Sequence, residues 1–145
     1  MVGRDWIFQS NINFYDIDKA IRNLKTITWR VTFFKKEIQK GDKVFIWRNG
    51  PEAGIIAIGT IQTDIMEITL KNDEKKYFIN NKLNVLKNNE VGVKVRIDKI
   101  MDKPILRDTL ISQPQLSNMT ILRNCRGTNF QLTNIEAEAL KNMVK

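Results

Sequence analysis

The stretch TITWRVTFFKKEIQKGDKVFIWRNG, Thr26 to Gly50, holds two of the chain's three tryptophans, and an arginine follows each at once: Trp29-Arg30 and Trp47-Arg48. ITWRV has strand character, and KVFIWR sets Val44 and Ile46 on one face against Phe45 and Trp47 on the other. KGDK between them reads as a turn. The fold therefore turns on two short strands joined by a basic segment that carries Lys35, Lys36 and Lys40. A core can use the tryptophans, but it has no use for the arginines. The pairs either hold the domain together or hold something else.

Outward from this stretch, the pattern continues on both sides. Upstream, DWIFQ (Asp5 to Gln9) is a strand, broken by SNIN. Ile17, Ala20, Ile21 and Leu24 recur at helical spacing behind Asp16, a candidate N-cap. Downstream, NGPEAG is a loop, and GIIAIGTIQT is a long apolar strand in which Gly59 predicts a bulge or a close backbone approach. Residues 71 to 90 are rich in Lys, Asn, Asp and Glu and read as a surface excursion. VGVKVRIDKI alternates Val91, Val93, Val95 and Ile97 against Lys94, Arg96 and Asp98. Pro104 and Pro114 bracket a short helix, RGTNF is a loop, and Thr133 with Glu136 has the spacing of a capping box that opens a C-terminal helix. Strands outnumber helices, and the helices sit near both ends. The expectation is an α+β fold, a strongly bent mixed β-barrel flanked by short helices, with residues 1–145 forming a single domain.

Composition narrows the function. With 145 residues, 42% hydrophobic and 28% charged, the chain has the balance of a globular domain with its own core. No apolar run approaches the roughly 18 residues of a membrane span, and the N-terminus lacks a secretory layout. A cytoplasmic location and no membrane partner are expected. Cys125 is the single cysteine and there is no histidine. A zinc cluster and a Ser-His or Cys-His nucleophile pair are therefore excluded, and neither a metal nor a cofactor is expected. The net charge is +8, which favours polyanions through counterion release from phosphates. Residues 1–50 carry ten Lys and Arg against five Asp and Glu, so the excess gathers around the Trp-Arg pairs.

Taken in series, WIFQSN, TWRVTFFKKEIQKGDKVFIWRNGPEAGIIAIGTI, KVRIDKI and LRNCRGTNFQLTNIEAEAL resemble the EVE domain over nearly the whole chain; the charged stretch around residues 66 to 90 fits least well. The resemblance implies a PUA-like barrel, shared with YTH and ASCH domains. It also implies a reader of modified bases, mainly in DNA, found alone or joined to a modification-dependent restriction ATPase or nuclease. Trp29 is similar to the cage tryptophan that starts the second strand of YTH domains, and Ser10-Asn11 to their Ser-Asn step. Their other cage tryptophan has no counterpart here; Trp47 or Phe130 are candidates to replace it.

A reader must pull the base from its stack and recover that cost by aromatic stacking and by hydrogen bonds to the base edge. The candidate base pocket comprises Trp29, Ser10, Asn11, Asn13, Trp47, Asn129 and Phe130, with Gln9 and Gly127 as neighbours. Arg30, Arg48, Lys35, Lys36 and Thr128 are candidates for the nucleic-acid backbone. Each has a plainer alternative: core tryptophans, solvated basic side chains, turn-forming asparagines, or a tight loop before the last helix. No catalytic residue is assigned. Asp73-x-Lys75 and Glu74-x-Lys76 lie in a polar segment with no apolar strand leading into it, which argues against a nuclease. Lys36, Thr32 and Glu37 supply the residue types of ASCH-related amidohydrolases but lie too close along the chain to define a site. The expected function is a non-catalytic reader of methylated cytosine or adenine in DNA. A reader of RNA modification and a small nucleobase-type hydrolase are the alternatives.

Overall fold

The computed structural model describes residues 4–79 and 90–144, so residues 80–89 of the expected surface excursion lie outside the described residues. In chain order the elements are β1 (Asp5–Ser10), α1 (Ile17–Asn23), β2 (Thr26–Arg30), β3 (Lys43–Arg48), β4 (Gly54–Ile61), β5 (Met66–Glu67), α2 (Asn72–Lys75), β6 (Val91–Leu106), α3 (Arg107–Ile111), α4 (Thr120–Arg123), β7 (Asn129–Gln131) and α5 (Asn134–Met143). The strands form one sheet in the order β2-β6-β4-β3-β1-β7, with β5 also paired to β6. Among the described residues only β1 and β3 run parallel and every other pair is antiparallel, so the sheet is mixed.

Local signals in the sequence explain the starts of α1 and α5 and one irregularity of the sheet. Asp16 caps α1 by accepting from the Lys19 N–H, and Thr133 and Glu136 form both halves of the capping box on α5. Pairing of β4 with β6 slips between Ile58 and Gly59. A Cβ at Gly59 would lie 2.5 Å from the Arg96 carbonyl oxygen, so the glycine permits the close approach that bends the sheet. The strand read from VGVKVRIDKI runs longer than its alternation indicates: β6 continues through Pro104 to Leu106, and α3 starts directly behind it.

Curling gives the sheet two buried faces. Inside, Trp6, Phe8, Ile27, Trp29, Val44, Ile46, Val93 and Val95 pack with Ile17, Ala20 and Ile21 of α1. Outside, Ile7, Phe45, Trp47 and Ile55 are covered by Leu110 of α3, Ile121 and Leu122 of α4, and Ala137 and Leu140 of α5. Alternation along β3 thus feeds two cores. Asp42 anchors the turn before β3: buried, it accepts from Arg4 Nε (2.7 Å), Trp6 Nε1 (3.0 Å) and the Gln39 N–H (2.9 Å). Trp6 is accordingly a core residue.

Residues 71–79 are exposed along most of their length, as a surface excursion would be, but two of them turn inward. The short helix α2 buries Glu74, and Tyr77 follows it into the inner core. The segment is held to the chain before α1 by Asp16 N to Tyr77 O (2.8 Å) and Ile79 N to Phe14 O (2.9 Å). Its charged residues hid this role, because only two positions in the run turn inward. No helix among the described residues is long and apolar enough to cross a membrane.

Candidate functional site

A cavity of about 490 Å³ opens at one end of the half-barrel, within the roughly 300–1,000 Å³ typical of small-ligand sites. Its walls come from the end of β1 and the loop after it, from β2, from the chain around β5 and α2, and from residues 125–128 before β7. Trp29 is central. Period-2 alternation along β2 turns Ile27 and Trp29 inward, and the indole packs on Phe8 with ring centroids 5.9 Å apart. Only 6% of Trp29 is exposed, yet it borders the cavity. The tryptophan is therefore both core and wall.

Phe14, Tyr15 and Phe78 add aromatic surface, and Ile68 and Leu70 complete an apolar wall. Tyr15 meets Phe78 edge-on, with centroids 4.9 Å apart and rings at 77°. Burial, and then the negative charge of Glu74, push the Tyr15 phenol well above its ordinary range, so it stays a protonated hydroxyl. Beside Trp29, the aromatic residues that border the cavity are Phe14, Tyr15 and Phe78. Trp47 and Phe130 do not supply it: both are buried in the outer core against the C-terminal helices. Alternation along one strand cannot say which of two buried faces holds the hollow.

The polar lining is as specific. Ser10 and Asn11, read from the sequence as pocket residues, and Arg30 and Thr128, read as backbone contacts, all border the cavity. Asn11 Oδ1 accepts from the Asn13 N–H (2.9 Å) and Asn49 Oδ1 from the Ile12 N–H (3.0 Å). Both amide groups are thereby oriented with Nδ2 left to donate. Gln9 borders the cavity in a different role: its Nε2 donates to the carbonyls of Cys125 (2.9 Å) and Gly127 (2.8 Å), and its N–H to Thr128 O (2.8 Å). It clamps the 125–128 loop to β1. Gly127 has φ of 118°, a conformation that favours glycine, and so turns that loop at the rim. Arg126 stands exposed beside it, and among the described residues its guanidinium has no partner.

Several expected site residues lie elsewhere. Asn13 is exposed and serves the loop through its backbone. Asn129 is 3% exposed and does not border the cavity; its Oδ1 accepts from the Thr32 N–H (2.8 Å) and its Nδ2 donates to Arg30 O (3.2 Å). Arg48 is engaged within the fold by Asp18 (2.8 Å) and the Glu52 carbonyl (3.0 Å), so it is not free for a phosphate. Lys35 and Lys36 are exposed but do not border the cavity. Glu74, Asn49, Tyr15, Phe14, Phe78 and Arg126 were not singled out for the pocket from the sequence. For Asn49 a signal existed, the Asn-Gly step; α2 offered none, because nothing in its composition announces a buried side.

The family model for the EVE domain matches residues 4–143. The chain belongs to the EVE domain family. The curled sheet of this EVE domain is the PUA-like fold shared by EVE and ASCH proteins. Similar solved structures include a hypothetical protein from Leishmania major (20% identity, TM-score 0.73, covering 96% of this chain and 92% of that one). Human THYN1, in complex with DNA containing 5-methylcytosine, is similar at 17% identity and a TM-score of 0.70, with 97% of each chain covered. A mutant of the Zymomonas mobilis protein ZmASCH is similar at 13% identity and a TM-score of 0.65, covering 98% of this EVE domain and 99% of its own chain. At these identities the similarity carries the fold. No match is found among curated protein sequences.

Proposed function

We propose that this EVE domain is a non-catalytic nucleic-acid-binding module that takes a modified base, flipped out of DNA, into the Trp29 cavity. One observation carries the proposal: a buried tryptophan keeps a share of its surface on a cavity of about 490 Å³ that also offers oriented amide donors and a basic rim. Stacking on aromatic surface is worth roughly 1–3 kcal/mol per base. The apolar wall of Ile68, Leu70 and Phe78 suits a methyl substituent, which has no polar edge to read. Arg30 and Arg126 border the cavity and supply positive charge for flanking phosphates; Arg30 Nη1 also lies 3.8 Å from Glu90 Oε1, so it would exchange that ion pair for a phosphate. The DNA complex of THYN1, a protein of the same fold, agrees with this reading.

A hydrolytic reading has one arrangement in its favour. Lys94 Nζ lies 3.0 Å from Thr28 Oγ1 and 3.9 Å from Glu74 Oε1, and both Thr28 and Glu74 border the cavity. A nucleophile, a base and an orienting group have this relation in covalent catalysis. Turnover of a nucleobase-type amide, and its loss on Thr28→Ala, separates this reading from the binding one.

The deciding experiment measures affinity for matched duplex DNA, single-stranded DNA and RNA, each with and without 5-methylcytosine or N6-methyladenine. Nucleoside analogues with a hydrolysable amide are assayed alongside. Preference for a methylated DNA without turnover supports the proposal. Preference for methylated RNA moves the function to RNA, and turnover abolished by Thr28→Ala moves it to hydrolysis.

A further inference from the structure

Glu74 enters the cavity from α2, in the part of the chain that departs most from the EVE pattern. It is 4% exposed. Among the described residues its carboxylate accepts no hydrogen bond, and its one ion-pair partner, Lys94 Nζ, is 3.9 Å away and committed to Thr28 Oγ1 at 3.0 Å. Among the described residues no fully buried side-chain oxygen lacks a hydrogen-bond partner, so the Glu74 carboxylate keeps its solvent contact on the cavity side and is open there to a donor that a ligand brings.

The rest of the polar lining has the opposite character. Asn11 and Asn49 have each spent the side-chain oxygen on a backbone N–H and keep Nδ2 for an acceptor. The cavity thus presents one strong acceptor and two donors. Cytosine's edge is complementary: an N4 amino donor beside the N3 and O2 acceptors. Adenine matches in part, with N6 as donor and N1 as acceptor. Thymine and uracil put the O4 acceptor where the amino group would be, and a carboxylate facing O4 leaves both groups unpaired.

On the base-binding reading of the cavity, on which this inference rests, we propose that Glu74 selects bases carrying an exocyclic amino group by accepting a hydrogen bond from that group. Methylated cytosine fits best; thymine, which has the same ring size and the same 5-methyl group, is rejected. The residue is specificity-determining, and it does not create the stacking on Trp29.

The test places one target base opposite an abasic site in an otherwise constant duplex, so that no base pair has to be broken. Affinities for 5-methylcytosine, cytosine and thymine are measured by fluorescence anisotropy for the wild-type protein and for Glu74→Gln. The carboxamide keeps the shape of the side chain and can present either a donor or an acceptor. Wild type should prefer 5-methylcytosine to thymine by about tenfold or more, and Glu74→Gln should bring the two within about threefold. Equal wild-type affinities, or a preference that survives the substitution, overturn the assignment. If Glu74→Gln does not fold, Glu74→Asp, which withdraws the carboxylate by one methylene, replaces it with the same two outcomes. Failure of the two readings is distinguishable. A protein that prefers 5-methylcytosine to cytosine yet ignores the change to thymine overturns Glu74 alone. A protein indifferent to all three bases takes the base-binding reading down as well.

Discussion

Asn129, on β7, holds the main chain of Arg30, on β2, through its carboxamide: Nδ2 donates to Arg30 O at 3.2 Å while Oδ1 accepts from the neighbouring Thr32 N–H at 2.8 Å. These two strands stand at opposite ends of the sheet order. One side chain therefore joins the two edges of the curled sheet, immediately beside the residue that follows Trp29. It does for the half-barrel what a closing ladder does for a full barrel, since it satisfies an exposed edge. Asn129→Ala should lower stability by about 1–3 kcal/mol, the cost of leaving buried backbone groups unpaired. Thermal melting reads the loss. Asn129→Asp should cost as much, because a carboxylate cannot donate to Arg30 O.

Trp29 should separate packing from recognition. Trp29→Ala removes a core side chain and should destabilise by about 3–5 kcal/mol. Trp29→Phe keeps an apolar ring and should fold, with loss of about 1–3 kcal/mol in binding a flipped base. Equilibrium unfolding and anisotropy titration on the same sample give both quantities. A folded Trp29→Phe protein with undiminished preference for the modified base would remove the tryptophan from the recognition site.

Among the arginines, Arg126 and Arg48 should behave oppositely. Arg126→Ala should weaken binding to all sequences alike and reduce the slope of log K against log salt by about 1. Arg48→Ala should leave that slope unchanged and lower the melting temperature, because the side chain ties β3 to Asp18 of α1 and to the Glu52 carbonyl. Losing those charge-assisted bonds costs about 1–2 kcal/mol. A salt slope altered by Arg48→Ala would mean that the ion pair opens when nucleic acid binds.

Asp98 marks an acid-side dependence of stability. Burial pushes its carboxyl up, but hydrogen bonds from Thr60 and Arg96 and the charges of Arg96 and Lys43 outweigh this and hold it below the ordinary carboxylate range. A carboxyl depressed in the folded state stabilises above its unfolded pKa, about 3.9, and the contribution fades as pH falls through the folded value. Because the group is largely solvated, the effect should stay below about 1 kcal/mol. Denaturant melts between pH 2 and 6 should show Asp98→Asn losing this part of the acid limb, with little further loss at the lowest pH.

How much of this was legible in the sequence varies residue by residue. Asp16 and the Thr133–Glu136 box announced their helices because capping is local chemistry within four residues. Gly59 announced its bulge because only a glycine tolerates that backbone approach. The site was less legible. Trp29, Ser10, Asn11, Arg30 and Thr128 are brought together at the cavity, and family resemblance had pointed to Trp29 and the Ser-Asn step. Trp47 and Arg48 repeat the Trp-Arg motif with the same local pattern, yet one is sealed under the C-terminal helices and the other is bound to Asp18. Asn129 has the chemistry of a base reader and spends it on backbone.

The linear order of residues determined where strands, turns and caps form, the basic balance of the chain and its membership of the EVE family, because these depend on neighbours within a few positions or on the pattern along the whole chain. Tertiary structure alone decided which of two buried faces of a curled sheet encloses a hollow, which polar groups are already satisfied there, and that Glu74 turns inward from a charged segment. Those outcomes depend on contacts between residues tens of positions apart, and a buried polar group is free for a ligand only when no distant partner has already claimed it.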